Sequence, residues 1–180
     1  LPEVMIIASA LTLQDPRERP AEKQKAADSI HKTFQDPQSD FITLLNIWNR
    51  YHDTLRVEKT ASAMKRFCRN HFLSYKRMRE WRDIHVQIRG ILKDADFTPR
   101  QEKPKPSPPE DSSFPERYGA VHRSILSGFL SNIAQKKELN FFRATKGREA
   151  MIFPGSSIFN RSGKWIMAAE MVETSRLFAR

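Results

Sequence analysis

The chain has 180 residues, and its 31 Lys and Arg against 21 Asp and Glu give a formal net charge of +10. A hydrophobic content of 39% and a charged content of 29% allow a packed core and exclude a wholly disordered chain. A single cysteine, Cys68, excludes a disulfide framework and a cysteine-cluster zinc site, and no apolar run is long enough for a transmembrane helix. The charge favours nucleic acid or an anionic membrane as partner, with a generic basic surface as the alternative. Residues 1–10 are apolar but lack an initiator Met and a basic segment, which predicts a piece of a longer chain and not a signal peptide.

Residues 1–97 predict a small helical bundle. Pro2 and Glu3 begin a helix that runs to Leu13, because proline suits the first turn and an acid suits the positive end of the helix dipole. Further helices are predicted over residues 20–34, from Ser39 or Asp40 through Trp48, over 61–68 and over 74–93. The last helix carries an apolar stripe of Met78, Trp81, His85, Ile88 and Leu92, opposite the polar residues Lys76, Glu80, Asp83 and Gln87.

Residues 98–117 predict an extended, mobile linker. Six of the eleven prolines fall in this stretch, which holds almost no apolar residue besides Phe114. Such a segment buries too little surface to offset the entropy of ordering it.

Residues 118–180 predict a helix followed by a small β-barrel, so that the chain as a whole is of the α+β class. An apolar stripe of Tyr118, Val121, Ile125, Phe129 and Ile133 indicates a helix that ends near Gln135. Strands are predicted over residues 139–144, 150–153 and 165–174, with Gly147 in a tight turn between the first two. Three strands are too few for a closed barrel, so the barrel is expected to be incomplete.

Catalytic motifs are absent from the sequence. It contains no phosphate-binding loop, dinucleotide fingerprint, zinc-protease helix or nucleophile elbow, and no two of its five histidines lie at helical ligand spacing. Lys65, Arg66 and Arg69 stand near Cys68 and favour a lowered thiol pKa, but a buried structural thiol is the preferred interpretation. The chain itself therefore predicts no catalytic residue, metal site or cofactor.

The positive charge is concentrated in two regions. Residues 56–93 hold 11 basic and 3 acidic residues, and residues 118–180 hold 10 and 4, whereas the linker holds 4 of each. Basic and aromatic residues alternate in both regions, a pattern typical of single-strand binding because cations contact phosphates and rings stack on bases. Trp81 and Trp165 lie in apolar patterns that favour a core position, and a merely solvated face is the alternative for the cations. The candidate contacts are Lys146, Arg148, Ser156, Ser157, Arg143 and Lys164 in the β part, with Lys76, Arg77 and Arg79 as a second group.

Several ordered motifs carry a family resemblance. The first part of the chain resembles the helicase-associated region of DEAH-box RNA helicases. The similar segments are residues 7–11, Arg19-Pro20, and residues 39–46, 67–68, 72–75 and 87–88. Residues 127–130, 152–157 and 164–170 resemble the oligonucleotide-binding (OB) domain that follows it. Residues 14–20, the Phe-Pro-Gly-Ser tetrapeptide and residues 172–180 are especially like the bacterial HrpA branch. Phe153 stands where eukaryotic relatives usually have His, so no role of that His is carried over.

The resemblance implies an accessory module of an ATP-dependent helicase. It implies a ratchet-like bundle over residues 1–97 and an OB-like domain over 118–180, which together close a channel over single-stranded RNA, or DNA, beside two RecA-like motor domains. ATP and Mg²⁺ belong to those motors, which this chain lacks, so the fragment alone is expected to be inactive. A cytoplasmic location without membrane contact follows from the same resemblance. The alternative is a docking module for the motors or a regulatory partner, without direct RNA contact.

Overall fold

A computed structural model describes residues 2–97 and 113–180. These residues divide into two compact units. The helical unit contains residues 2–36 and 40–97, and the β unit contains residues 37–39 and 113–180. Most of the predicted linker lies outside the described residues, and its last residues, from Ser113 onward, belong to a helix.

The helical unit contains the five predicted helices. These are α1 (Pro2–Leu11), α2 (Gln24–Lys32, after a 3-10 turn at Ala21–Lys23), α3 (Asp40–Glu58), α4 (Ala61–Asn70) and α5 (Tyr75–Asp94). Thr60 caps α4, because its hydroxyl accepts a hydrogen bond of 3.2 Å from the backbone N–H of Ala63. The predicted boundaries of α4 and α5 agree with the observed ones to within two residues.

The predicted stripe of α5 faces the core of the helical unit. Met78 and Trp81 are fully buried, and the polar residues predicted for the opposite face are exposed. The indole N–H of Trp81 lies 3.0 Å from both the carbonyl oxygen of Ile6 and the hydroxyl of Ser9 on α1. Because a buried indole N–H needs an acceptor, this contact fixes α1 against α5.

The β unit begins with α6 (Ser113–Gly128) and continues into a sheet. Its strands are β1 (Ile133–Lys136), β2 (Phe141–Arg143), β3 (Glu149–Ile152), β4 (Trp165–Met167), β5 (Met171–Glu173) and β6 (Leu177–Ala179). They form one curled half-barrel in the order β4-β1-β2-β3-β6-β5. Neighbours are antiparallel except β3 and β6, which are parallel. A three-stranded meander whose third strand pairs in parallel with a later strand is consistent with an OB-fold.

The inner face of the sheet forms the core of the β unit. Phe142, Ala150, Ile152 and Ile166 alternate with exposed or half-buried neighbours and pack together with Leu177. This period-two alternation is what a sheet buried on one face requires.

Three predictions for the β unit were wrong in detail. The helix ends at Gly128 instead of Gln135, and Ile133–Lys136 is a strand that pairs with both β2 and β4. The single strand predicted over residues 165–174 is two short strands, because β4 pairs with β1 at one edge of the sheet and β5 pairs with β6 at the other. The strand β6 was not predicted at all, so the sheet has six strands where the sequence indicated three.

Candidate nucleic-acid interface

The turn between β2 and β3 displays three of the predicted cations. Lys146 and Gly147 have φ angles of 58° and 72°, and the backbone N–H of Ala144 donates to the carbonyl of Arg148 across the turn at 2.8 Å. Two successive left-handed residues reverse the chain tightly, which is why glycine is needed at the second position. Arg143, Lys146 and Arg148 are all exposed, and none of them forms an ion pair within residues 2–97 and 113–180.

The acid nearest to this turn is already paired. Glu149 lies opposite Arg143 in the sheet, and its carboxylate accepts a hydrogen bond from the ammonium group of Lys137. That hydrogen bond, with the charges of Lys137 and Arg143, holds the pKa of Glu149 below its usual value. Glu149 is therefore ionised but engaged by Lys137, which leaves the charges of the turn cations available to an anion.

Trp165 lies on the outer face of the sheet, so the prediction that places it in the core was wrong. Its side chain is 58% exposed, and the core position of β4 belongs to Ile166. The register pairs Trp165 with Gln135, and Gln135 with Arg143, so these three residues form one row across β4, β1 and β2. Lys164 precedes Trp165 and is exposed as well. No sequence signal distinguished the two faces, because Trp165, Ile166, Met167 and Ala168 are all apolar, and it is the structure that places Ile166 and Ala168 on the inner face.

The two predicted serines contribute to the structure of their own loop. Ser157 is only 5% exposed, and the Ser156 hydroxyl accepts a hydrogen bond of 3.3 Å from the backbone N–H of Ile158. The loop is held to β2 by Asn140, whose side chain donates to Asn160 at 2.6 Å and accepts from its backbone at 2.8 Å. We therefore leave Ser157 out of the proposed contact surface.

The second group of predicted cations lies on α5, in the helical unit. Lys76 and Arg79 are exposed on one face of the helix. Arg77 instead donates to the backbone oxygen of Asp15 at 3.0 Å and to the side chain of Gln14, so its guanidinium holds the loop after α1. Arg77 thus has a structural role that its position in the sequence did not reveal.

The described residues include one buried thiol and no cluster of metal-ligating side chains. No group of three or more His, Cys, Asp or Glu side chains there is arranged to hold a metal ion. Cys68 is buried, and desolvation together with the charge of Glu18 raises its pKa to about 12, so the thiol remains protonated. Among the described helices, none is both long and apolar enough to cross a membrane.

Comparisons with known proteins agree with the resemblance in the sequence. The family described as oligonucleotide/oligosaccharide-binding (OB)-fold matches residues 121–180. The chain is 40% identical over 179 residues to the ATP-dependent RNA helicase HrpA of Escherichia coli (strain K12), and 41% identical over 179 residues to the HrpA homolog of Haemophilus influenzae. Each match covers 99% of this chain but only 13% of the relative's length. These similarities support the sequence-based assignment of the chain to a C-terminal region of HrpA-type helicases.

Proposed function

We propose, on the premise that this chain corresponds by sequence to the C-terminal region of HrpA-type helicases, that it is an accessory module which contacts single-stranded RNA. The observation that carries the proposal is the group of exposed cations Arg143, Lys146 and Arg148, none of which forms an ion pair within the described residues, on an OB-type sheet. Cations that no carboxylate neutralises attract a polyanion and release its counterions on binding.

The site is suited to hold a strand without reading its sequence. Lysine and arginine at a turn contact phosphates, which are identical at every nucleotide. An accessory module that grips the strand while motor domains step along it needs this kind of sequence-independent contact. Lys76 and Arg79 on α5 are the proposed second contact in the helical unit.

The parent protein would supply the remaining parts of the activity. We propose that ATP and Mg²⁺ bind to RecA-like motor domains outside this chain and that the isolated chain has no turnover. The names of both relatives, ATP-dependent RNA helicases, support this division of labour. A cytoplasmic location belongs to the same proposal, as does the choice of RNA over DNA.

A salt series on the isolated chain tests the proposal. The logarithm of the affinity for single-stranded oligoadenylate should fall linearly with the logarithm of the salt concentration, and the double variant Lys146→Asn, Arg148→Gln should lower the magnitude of that slope by about 1.4 for two lost phosphate contacts. Asn is chosen because it tolerates the left-handed conformation at position 146, so the turn is retained.

The matched control removes two exposed lysines elsewhere, Lys23→Gln and Lys25→Gln, and should leave the slope unchanged. Binding that does not depend on salt, or an equal loss of slope in both double variants, would contradict a contact at the β2–β3 turn.

A docking module without RNA contact is the second candidate. Three apolar side chains in the second half of α5 and just beyond it are exposed: Val86 by 55%, Ile91 by 67% and Phe97 by 63%. Exposed apolar side chains of this kind favour an apolar partner on this surface. Reversing Lys146 and Arg148 to Glu in the parent helicase separates the two functions. Unchanged RNA affinity with lost association of the domains would favour docking, whereas lost RNA affinity with intact association supports the strand contact.

A further inference from the structure

Trp165 is the exposed member of the three tryptophans in the chain. Trp48 and Trp81 are 6% and 0% exposed in the core of the helical unit, whereas Trp165 is 58% exposed on the sheet. Its orientation is imposed by the strand, because Ile166 and Ala168 occupy the inner face and adjacent side chains point to opposite faces. A large ring is thus kept in contact with water, at a cost in hydrophobic free energy, which suggests a use for its free face.

The ring is uncovered, unlike that of Phe153, another exposed aromatic side chain of the β unit. Phe153 is 41% exposed, but the guanidinium of Arg180 lies 5.2 Å from the centre of its ring and Phe178 meets it edge-on at 6.1 Å. In the described part of the chain, no ring or cation stacks on Trp165. Its indole face is therefore open to a ligand.

The charged residues around Trp165 indicate which kind of ligand would cover its ring. Arg143 lies in the same row two strands away, which places its Cβ atom about 10 Å from the Cβ atom of Trp165. The exposed Lys164 precedes Trp165 in the chain. An apolar protein surface seated on the indole would have to desolvate these cations without compensation. A nucleotide satisfies both groups, because its base covers the ring and its phosphates contact the cations.

We propose that Trp165 stacks on an unpaired nucleobase, with Arg143, in the same row of the sheet, contacting a flanking phosphate. This inference rests on the proposed function and deepens it, because it identifies the bound chemical group as the face of an unpaired base. In a duplex both faces of each base are covered by neighbouring bases, so the site discriminates single strands from duplexes. Every base has such a face, so little sequence preference is expected.

Tryptophan fluorescence tests the stacking directly, because Trp165 differs from the two buried indoles in its exposure. Titration with a single-stranded oligoadenylate of about 12 nucleotides should quench the emission of the wild-type chain, and an RNA duplex of the same length should quench it much less. Trp165→Phe should abolish the quenching. Trp165→Ala should weaken binding by about 5-fold to 150-fold, the equivalent of stacking one base, with the salt slope unchanged.

The matched control is Leu139→Ala, which removes a 61% exposed apolar side chain from the same unit and should bind as the wild type does. If Trp165→Ala binds as tightly as the wild type while the double variant at Lys146 and Arg148 still reduces the salt slope, the stacking inference fails and the proposed function stands. If the wild-type chain binds no single strand, both fail. An equal loss in Trp165→Ala and Leu139→Ala would also overturn the inference.

Discussion

The Phe153 ring leaves no room for a side chain at Gly155. A Cβ atom added at this position would lie 2.9 Å from the ring of Phe153, closer than such atoms approach in folded proteins. That ring is itself held from two other sides, by Phe178 and by the guanidinium of Arg180. The Phe-Pro-Gly-Ser tetrapeptide is therefore a packing motif in which the glycine makes room for the phenylalanine two residues earlier.

We expect Gly155→Ala to destabilise the β unit by about 1–3 kcal/mol, because overpacking forces the Phe153 ring to move. The loss should appear as a lower midpoint of urea unfolding. Gly163→Ala in the same loop is the control, since a Cβ there meets nothing within 4 Å. Equal midpoints for the two variants would contradict the packing role of Gly155.

The sequence predicted the burial of some single residues correctly and of others wrongly. Cys68 and Trp81 were expected in the core, and both are buried, because each lies on an amphipathic helix whose period defines one face. The same argument was wrong for Trp165. Its apolar neighbours resembled a buried strand, but only the pairing of β4 with β1 determines which face of a short strand is covered.

At the scale of elements, helices were predicted better than strands. The five bundle helices follow from proline, capping residues and a 3.6-residue period, all of which are local. The segment 129–136 continues the apolar spacing of α6, yet Ile133–Lys136 is a strand because it pairs on both sides with β2 and β4. Such pairing is non-local, so periodicity within the segment did not reveal it.

Helices α3 and α5 meet at the indole of Trp48, which contacts two histidine rings. His52 stacks on Trp48 with ring centres 4.0 Å apart, and His85 of α5 lies 4.9 Å from the same indole. Burial lowers the pKa of both histidines, and the charges of Arg82 near His52 and Arg89 near His85 lower it further. Protonation is therefore disfavoured in the folded state at both positions.

The helical unit should consequently lose stability in mild acid. A histidine whose pKa is lower in the folded chain than its unfolded value of 6.5 binds its proton more tightly when unfolded, so stability falls as pH decreases through and below that value. We expect the midpoint of thermal unfolding to drop between about pH 7.5 and about pH 5.5. His52→Gln with His85→Gln should reduce the drop. An unchanged drop in the double variant would contradict the assignment to these two rings.

At the scale of the whole molecule, the distribution of charged residues along the sequence predicted which regions carry exposed cations. The sequence places the positive charge in residues 56–93 and 118–180, and the structure puts exposed cations from both regions on two separate units. The sequence did not distinguish a cation that is free at the surface from one that holds a loop. Arg77 and Lys146 illustrate the difference, since the first donates to Asp15 and Gln14 and the second projects from a turn.

We expect the binding of RNA by this chain to be independent of ATP. Its 180 residues contain no phosphate-binding loop with its lysine, and in the function proposed above ATP binds to motor domains outside this chain. The isolated chain should therefore bind single-stranded RNA with the same affinity in the presence and absence of ATP and Mg²⁺, and release no phosphate. Parallel titrations and a phosphate-release assay check this, with the full-length relative from Escherichia coli as the positive control. An affinity that changes with ATP would require a nucleotide site in this chain and would contradict the proposed role as a strand contact that itself binds no ATP.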